Sequence, residues 1–238
     1  MNLRTGSTKI RVRMTSQQRR EQLIQVARTL FAERGVEGTS IEDIAQSAAV
    51  SKPVIYGHFG DKNGLYAVVV DRETSRLDTA IQNAIHSRNA SYREIIELGA
   101  FALLDYIDQF PEGFRIISRD SISHELGETS FASILNDIAS SVEDMLLPEL
   151  RRRGFDVNLA GPLTQALVGL VAMAGQYWLG TRKPAKEELV RQLVNLAWNG
   201  LANLETRPQL LTAPTQDENG VRTQVSYVST AASAENAR

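Results

Sequence analysis

The chain of 238 residues carries three histidines, His58, His86 and His124, and none stands four residues from another, so no helical face offers a histidine pair to a metal. It has no cysteine, which removes a thiol nucleophile, a disulfide framework and a thiolate metal site. No G-x-S-x-G elbow, Walker loop or G-x-G-x-x-G turn occurs, and the acidic residues scatter over polar faces. Neither a metal, a cofactor nor an enzymatic reaction is called for. The residues suited to chemistry gather between Thr39 and Lys62, and their chemistry is that of meeting a polyanion. Thr39, Ser40 and Lys62 stand at the starts of helical patterns, where free amides and the positive dipole end attract phosphate. Ser51, Lys52, Pro53, Val54, Tyr56 and His58 follow one another along a third short segment. There Lys52 either donates to guanine O6 or N7 or to a phosphate, or is a solvated lysine. Val54 either touches a thymine methyl or packs, and Pro53 either starts the helix or lies against a base.

Those side chains need short, firmly placed helices. From Thr15, the residues Leu23, Ala27, Leu30 and Phe31 share one helical face, and Gly35 is a natural stop. A second helix begins with Thr39 or Ser40 as N-cap, and the run Thr39-Ser40-Ile41-Glu42 fits a capping box. Ala49-Val50 makes a tight turn, Ser51 caps a helix from Lys52 to about Phe59, and Asp61 caps a long one through Leu65, Val69, Leu77, Ile81 and Ile85. Two short helices joined by a tight turn form a helix-turn-helix, whose second helix fits a major groove about 12 Å wide. Charge supports this reading. Residues 1–65 hold ten cations and six anions, while the rest of the chain holds sixteen cations and twenty-two anions. A basic head on an acidic body is what an end that meets a polyanion requires.

The stretch Thr39–Leu65 closely resembles the DNA-binding domain of the TetR family of transcriptional regulators. The resemblance rests on Ile44-Ala45, Val50-Ser51-Lys52-Pro53, Tyr56-Gly57-His58-Phe59, and Lys62 followed by Leu65. It is strong over about residues 18–70 and extends beyond them only in layout. It implies that Lys52 reads a base or a phosphate, that Tyr56 binds phosphate, and that His58 lies beside the DNA backbone, while Phe59 belongs to the core. Two positions depart from the family's pattern. Ala49 stands where the turn usually has glycine, at a cost of about 1 kcal/mol if φ is positive. Gly57 stands where a large side chain is usual, which weakens the helix and removes one possible base contact.

The remainder reads as five more helices. One stripe runs from Tyr92 to Phe110 and ends at Pro111, and a shorter piece runs from Gly113 to about Ser123. Another runs from Phe131 to Leu146, with a bend expected at Pro148 and a stop at Gly154; two more open at Pro162 and Pro184. No β pattern competes. In the last two helices, Leu170, Trp178, Leu193, Leu196 and Leu201 supply apolar area either for a dimer interface or for the core of one copy. The family resemblance implies the former, a four-helix dimer bundle. It also implies a ligand cavity among the middle helices, with Phe101, Tyr106, Phe110, Phe114, Phe131, Leu135, Met145 and Tyr177 as candidate walls. A mostly apolar set points to a hydrophobic effector, and the layout around Tyr106–Ser118 and Gly169–Leu179 resembles regulators that sense acyl-CoA.

The expectation is therefore an all-α protein: a basic arm at 1–14, a three-helix helix-turn-helix DNA-binding domain at 15–60, a helical ligand-binding and dimerisation bundle at 61–206, and a tail at 207–238. The arm either enters a minor groove or is a solvated tail. Its function is that of a cytoplasmic homodimeric repressor, with no membrane partner, released from a palindromic double-stranded DNA operator by a small hydrophobic ligand, a lipid or an acyl-CoA. The rival of another class is a helical adaptor whose basic head binds an acidic protein; it does not require Tyr56, Lys62 and a capped third helix together.

Overall fold

The computed structural model describes residues 14–86, 90–120, 131–208, 215–216 and 222–223. Most of the basic arm, most of the tail and the stretch around His124 lie outside them. Contacts divide the chain at Ala202 into two compact units, each considered by itself. In the second, Thr215 pairs with Thr223 and Gln216 with Arg222 as two antiparallel two-residue strands, a pairing the sequence pattern does not announce. In the first, the described residues form helices throughout: α1 (Ser16–Arg34), α2 (Ile41–Ser47), α3 (Lys52–Phe59), α4 (Lys62–Ile85), α5 (Tyr92–Gln109), α6 (Pro111–Asp120), α7 (Phe131–Arg152), α8 (Ala160–Thr181) and α9 (Lys186–Ala202).

Local chemistry sets most of the boundaries. Thr15 and Gln18 form a reciprocal capping box at the start of α1, and Asp61 accepts the Gly64 amide at the start of α4. Of the two N-caps that the sequence allows for α2, Ser40 takes the position, and Asp43 rather than Glu42 closes the box. Helix α6 starts at Pro111 rather than Gly113, α8 at Ala160 ahead of Pro162, and α9 at Lys186 beyond Pro184. Proline suits a first turn but need not define it.

The turn between α2 and α3 is a Schellman motif. The Val50 amide bonds the Ala45 carbonyl at 2.9 Å and the Ala49 amide bonds the Gln46 carbonyl at 3.1 Å. Ala49 is left-handed, with φ of 52°. Helix α7 ends in the same pattern, with Phe155 bonded to Leu150, Gly154 to Arg151, and glycine at the left-handed place. The head of the molecule thus carries alanine where its own body uses glycine.

Two hydrophobic cores result. Leu23, Ala27, Phe31, Ile44, Ile55, Leu65 and Val69 build one, which joins α1 to α3 with the first half of α4. Leu77, Ile81, Leu103, Ile107, Phe114, Ile138 and Trp178 belong to the other. Helix α4 runs through both. Helix α6 also touches both, giving Ile116 to the first and Phe114 and Ile117 to the second.

Between the cores lies Glu73, 1% exposed. Arg76 Nη1 donates to its two carboxylate oxygens at 2.8 and 2.9 Å, the Tyr106 hydroxyl donates at 2.9 Å, and Arg28 Nη1 stands 3.7 Å away. A side chain at Gly113 would collide with this carboxylate and with the Tyr106 hydroxyl. Burial, and then the neighbouring carboxylate, push the Tyr106 phenol far above its usual range, so it remains a donor.

Two stability predictions follow from this geometry. Ala49→Gly raises the unfolding free energy by about 1 kcal/mol in urea denaturation, because it relieves a left-handed alanine at an exposed position. An unchanged value would mean that Ala49 is not left-handed in solution. Glu73→Ala lowers it by about 3–5 kcal/mol, since it leaves arginine charge at a buried site without its partner; a loss below about 1 kcal/mol would show that the carboxylate is not buried among its partners.

Candidate functional site

Helix α3 turns one side inward and one side out. Ile55 is fully buried and Val54 is half-buried against the first core, while Ser51, Lys52, Pro53, Tyr56 and Gly57 are exposed. The exposed set repeats at three and four residues, so it forms one face. Tyr56, at 47% exposure, presents its ring and hydroxyl there. Lys52 is ion-paired with Glu42 of α2, so a phosphate or base must draw it from that carboxylate. Ser51 holds the N-cap position without making a side-chain cap bond. His58 is half-buried, its ring 5.9 Å from that of Phe59.

Three of the expected contacts turn out to brace the head. Thr39 is 1% exposed, and its hydroxyl donates to the carbonyls of Gly35, at 2.8 Å, and Leu30, at 3.3 Å. It fastens the end of α1, which corrects its assignment as a surface contact. The Ser40 hydroxyl donates to Asp43 at 2.7 Å while accepting the Asp43 amide, so it is occupied as a cap. These bonds from Ser40 hold the Asp43 carboxyl below its usual range. Lys62 Nζ donates to the Val36 carbonyl at 2.9 Å, tying the start of α4 to the turn after α1.

Sequence reasoning passed over Arg20. This exposed residue on α1 sets its guanidinium 5.2 Å from the Phe59 ring centre, placing a cation beside the end of α3. The adjacent pair Arg19-Arg20 is its signal in the sequence.

A second site opens in the body. An apolar cavity, part of it open to solvent, lies between α4, α5, α7 and α8. Leu77, Ile81 and Ile85 line it from α4, with Ile95, Ile96, Gly99, Ala100 and Leu103 from α5. Phe131, Leu135, Ile138 and Val142 of α7 and Leu167, Val168, Val171 and Ala172 of α8 complete it. Every one of these residues is apolar. Of the expected walls, Phe131 and Leu135 are present. Tyr106 is bonded to Glu73, Phe110 lies under the Arg76 guanidinium at 4.4 Å, and Phe114 is buried edge-on against Phe131. Phe101 and Met145 pack on the core outside the lining, and Tyr177 is 73% exposed. The correction has a simple cause: large rings fill the core, and shorter aliphatic side chains leave the space.

The expected dimer residues also divide. Trp178 is buried, its Nε1 donating to the Pro184 carbonyl at 2.8 Å, and Leu193 is buried as well, so both belong to the interior of one copy. Leu196 is exposed, and Leu170 and Leu201 are half-exposed. Leu170, Met173 and Tyr177 form one outward stripe of α8, at spacings of three and four. By length and composition alone, one helix among the described residues, Val157–Thr181, is apolar enough to cross a membrane.

Residues 23–69 match the family model described as bacterial regulatory proteins, tetR family, and residues 80–213 match the tetracyclin repressor-like C-terminal domain. The chain is 27% identical over 193 residues to the HTH-type transcriptional activator FasR of Mycolicibacterium smegmatis, covering 81% of this chain and 87% of that protein. It is 33% identical over 81 residues to the HTH-type transcriptional repressor KstR2 of Rhodococcus jostii, 34% of each. A TetR-like transcriptional regulator from Rhodococcus sp. RHA1 has the same fold, with a TM-score of 0.62 at 23% identity, covering 81% of this chain and all of that one.

The two classes of head residue separate experimentally. Thr39→Val lowers stability by about 1–3 kcal/mol, because it removes the buried hydroxyl whose proton the Gly35 and Leu30 carbonyls share. Tyr56→Ala leaves the unfolding free energy within about 0.5 kcal/mol of wild type and weakens DNA binding in a fluorescence-anisotropy titration. Equal DNA binding by wild type and Tyr56→Ala would remove Tyr56 from the interface.

Proposed function

The chain belongs to the TetR family of bacterial transcriptional regulators, and on that footing we propose that it reads a palindromic operator as a homodimer and releases it when an apolar chain fills the body cavity. It is a DNA-binding regulator and not an enzyme. The head, residues 15–60, carries the DNA contacts: Lys52, Pro53 and Tyr56 on the open face of α3, with Ser51, His58 and Arg20 beside them. The body, from residue 61, carries the effector site and the dimer face.

One observation carries the effector assignment: a cavity with no polar lining residue whose α4 wall continues directly into the reading head. Each methylene that leaves water for such a wall contributes about 0.8 kcal/mol, so affinity is expected to grow with chain length. A lipid acid or its thioester is the class that fits. Sugars, nucleotides and metal ions find no polar partner there.

Dimerisation follows from what one head can do. A single short recognition helix offers too few contacts for a specific site, and two copies related by a twofold axis read two half-sites. The α8 stripe of Leu170, Met173 and Tyr177, with Leu196 of α9, is the apolar surface such a pairing would cover.

Repression by occupying a promoter is the sign expected from the sequence. A second sign is favoured by one finding: the relative that matches 81% of this chain is named an activator. Release of the operator by ligand is common to both, and a promoter–reporter fusion separates them.

The test begins with selection of bound fragments from random duplex DNA by the full-length protein at physiological salt. A palindrome is expected; the absence of any enriched motif would overturn the reader. Saturated fatty acids and acyl thioesters of increasing length are then titrated into the operator complex. Operator affinity is expected to fall by about 5–150-fold, with potency rising along the series. Val168→Trp, which fills the cavity, should abolish that response and keep operator binding. An operator affinity indifferent to every member of the series would sink the effector assignment and leave the reader standing.

A further inference from the structure

Gly57 is a glycine that its own protein does not need. It lies within α3, and the glycines with positive φ among the described residues are Gly35, Gly60 and Gly154. A Cβ added at Gly57 meets no atom within 4 Å. Other glycines of the chain are explained by their surroundings. Gly113 makes room for the Glu73 carboxylate, and at Gly175 a Cβ would stand 2.9 Å from Ile107 Cδ1. Glycine inside a helix costs roughly 0.5–1 kcal/mol relative to alanine. That cost falls on a helix of 8 residues, far below the length at which helices hold by themselves, and one whose N-cap Ser51 makes no side-chain bond.

Neither conformation nor packing accounts for the residue, so its cause lies outside the chain. Gly57 is exposed beside Tyr56 and four residues after Pro53, on the face assigned above to DNA. We propose that Gly57 is a contact glycine: its missing side chain lets α3 seat its backbone directly against the operator, and the depth of that seating brings Lys52 and Tyr56 to their targets. The inference rests on the DNA-reading assignment and deepens it. Gly57 becomes a specificity-determining residue that acts by absence, since any side chain there holds the helix away from the groove.

Three other helical glycines share this openness. Gly169 and Gly180 of α8 and Gly200 of α9 also meet nothing within 4 Å. Gly169 and Gly180 lie on the side of α8 that carries Met173 and Tyr177. Helical glycines that the fold does not require thus fall on surfaces where a second molecule is expected.

The experiment compares wild type, Gly57→Ala and Gly57→Leu in thermal unfolding and in binding to the selected operator and to a scrambled duplex. For Gly57→Ala the unfolding midpoint is expected to rise by about 2–4 °C, while the operator Kd rises about tenfold and the scrambled-duplex Kd changes less than about twofold. Gly57→Leu should remove the preference for the operator altogether. A more stable Gly57→Ala protein that binds the operator as tightly as wild type, or more tightly, overturns the contact glycine and leaves the reader intact. A midpoint that fails to rise shows that the fold itself requires glycine, and overturns it too. Wild-type protein with no preferred sequence overturns both readings together.

Discussion

A carboxylate that is 1% exposed sits where the two cores of this molecule meet, and it must be satisfied there by groups from separate helices. Removing Glu73 from water costs several kcal/mol, which is offset only if charge and hydrogen bonds return in good geometry. Arg76 supplies a doubly bonded guanidinium from its own helix and Tyr106 a hydroxyl from α5. Arg28 brings a second cation from α1 and reaches on to Glu112 of α6 at 3.2 Å. Gly113 of α6 leaves the space. Hydrophobic contacts tolerate sliding, whereas this cluster does not, because a shift that opens one bond leaves charge unpaired in a dry place. The relative placement of four helices is thereby fixed to within hydrogen-bond tolerance.

That constraint gives the cavity a route to the reading head. Helix α4 gives Leu65 and Val69 to the head and Leu77, Ile81 and Ile85 to the cavity wall, with Glu73 between them. At 1.5 Å per residue, the span from Leu65 to Ile85 is about 30 Å. A rigid rod pinned near its middle returns a displacement at one end as an opposite displacement at the other. Tyr106 stands three residues after the cavity-lining Leu103 on α5, so movement of that wall also acts on the pin. Helix α6 fastens the head from the other side: Ile116 sits in its core, and Arg119 donates to the Ala32 carbonyl at 2.9 Å. Coupling of the proposed kind needs a discrete element that both sites bias, and the α4–α6 junction is the place where the contacts of the two sites meet.

What the sequence discloses and what it hides divide between the regular patterns of helix, cap and turn and the individual bonds that side chains make outside them. The helices of the head, the Gly35 stop, the Asp61 cap and the tight turn at Ala49 are all written in neighbours a few residues apart, and all could be read. The shift of the capping box from Glu42 to Asp43 is the limit of that resolution, since two adjacent acids fit the pattern almost equally. Side-chain bonds made where the chain leaves its helix pattern are illegible, even at separations of four to nine residues. Periodicity says that Thr39 lies near an inward face, but not that its hydroxyl will find the carbonyls of Gly35 and Leu30. It marks Trp178 as apolar without showing that Pro184 will receive its indole N–H and withdraw it from any interface. The cavity was misjudged for a related reason. Aromatic residues attract notice in a sequence, yet an empty space is defined by side chains too short to fill it, and these look like ordinary core.

Helix α8 brings the remaining parts together. Composition alone permits it to cross a membrane, but its surroundings argue otherwise. Thr164, Ala172, Gly175 and Trp178 are buried on one side, and just past its end Arg182 bonds Asp108 of α5 at 3.1 Å. A lipid-facing helix has no use for a face committed to a bundle whose other members carry charged residues. The opposite side bears Met173 at 61% and Tyr177 at 73% exposure, apolar area that protein contact would stabilise at roughly 25 cal/mol per Å² covered. On the buried side, Leu167, Val168, Val171 and Ala172 form one wall of the cavity. A single helix therefore separates the effector space from the surface where a second copy is expected. On the proposed reading, an apolar ligand that presses on α8 would act on the pairing of the two copies as directly as on α4, and the distance between two reading heads would depend on both. Effector, partner and operator would then be linked through walls one helix thick, and a cavity without a polar lining residue would suffice to control a surface that reads charge.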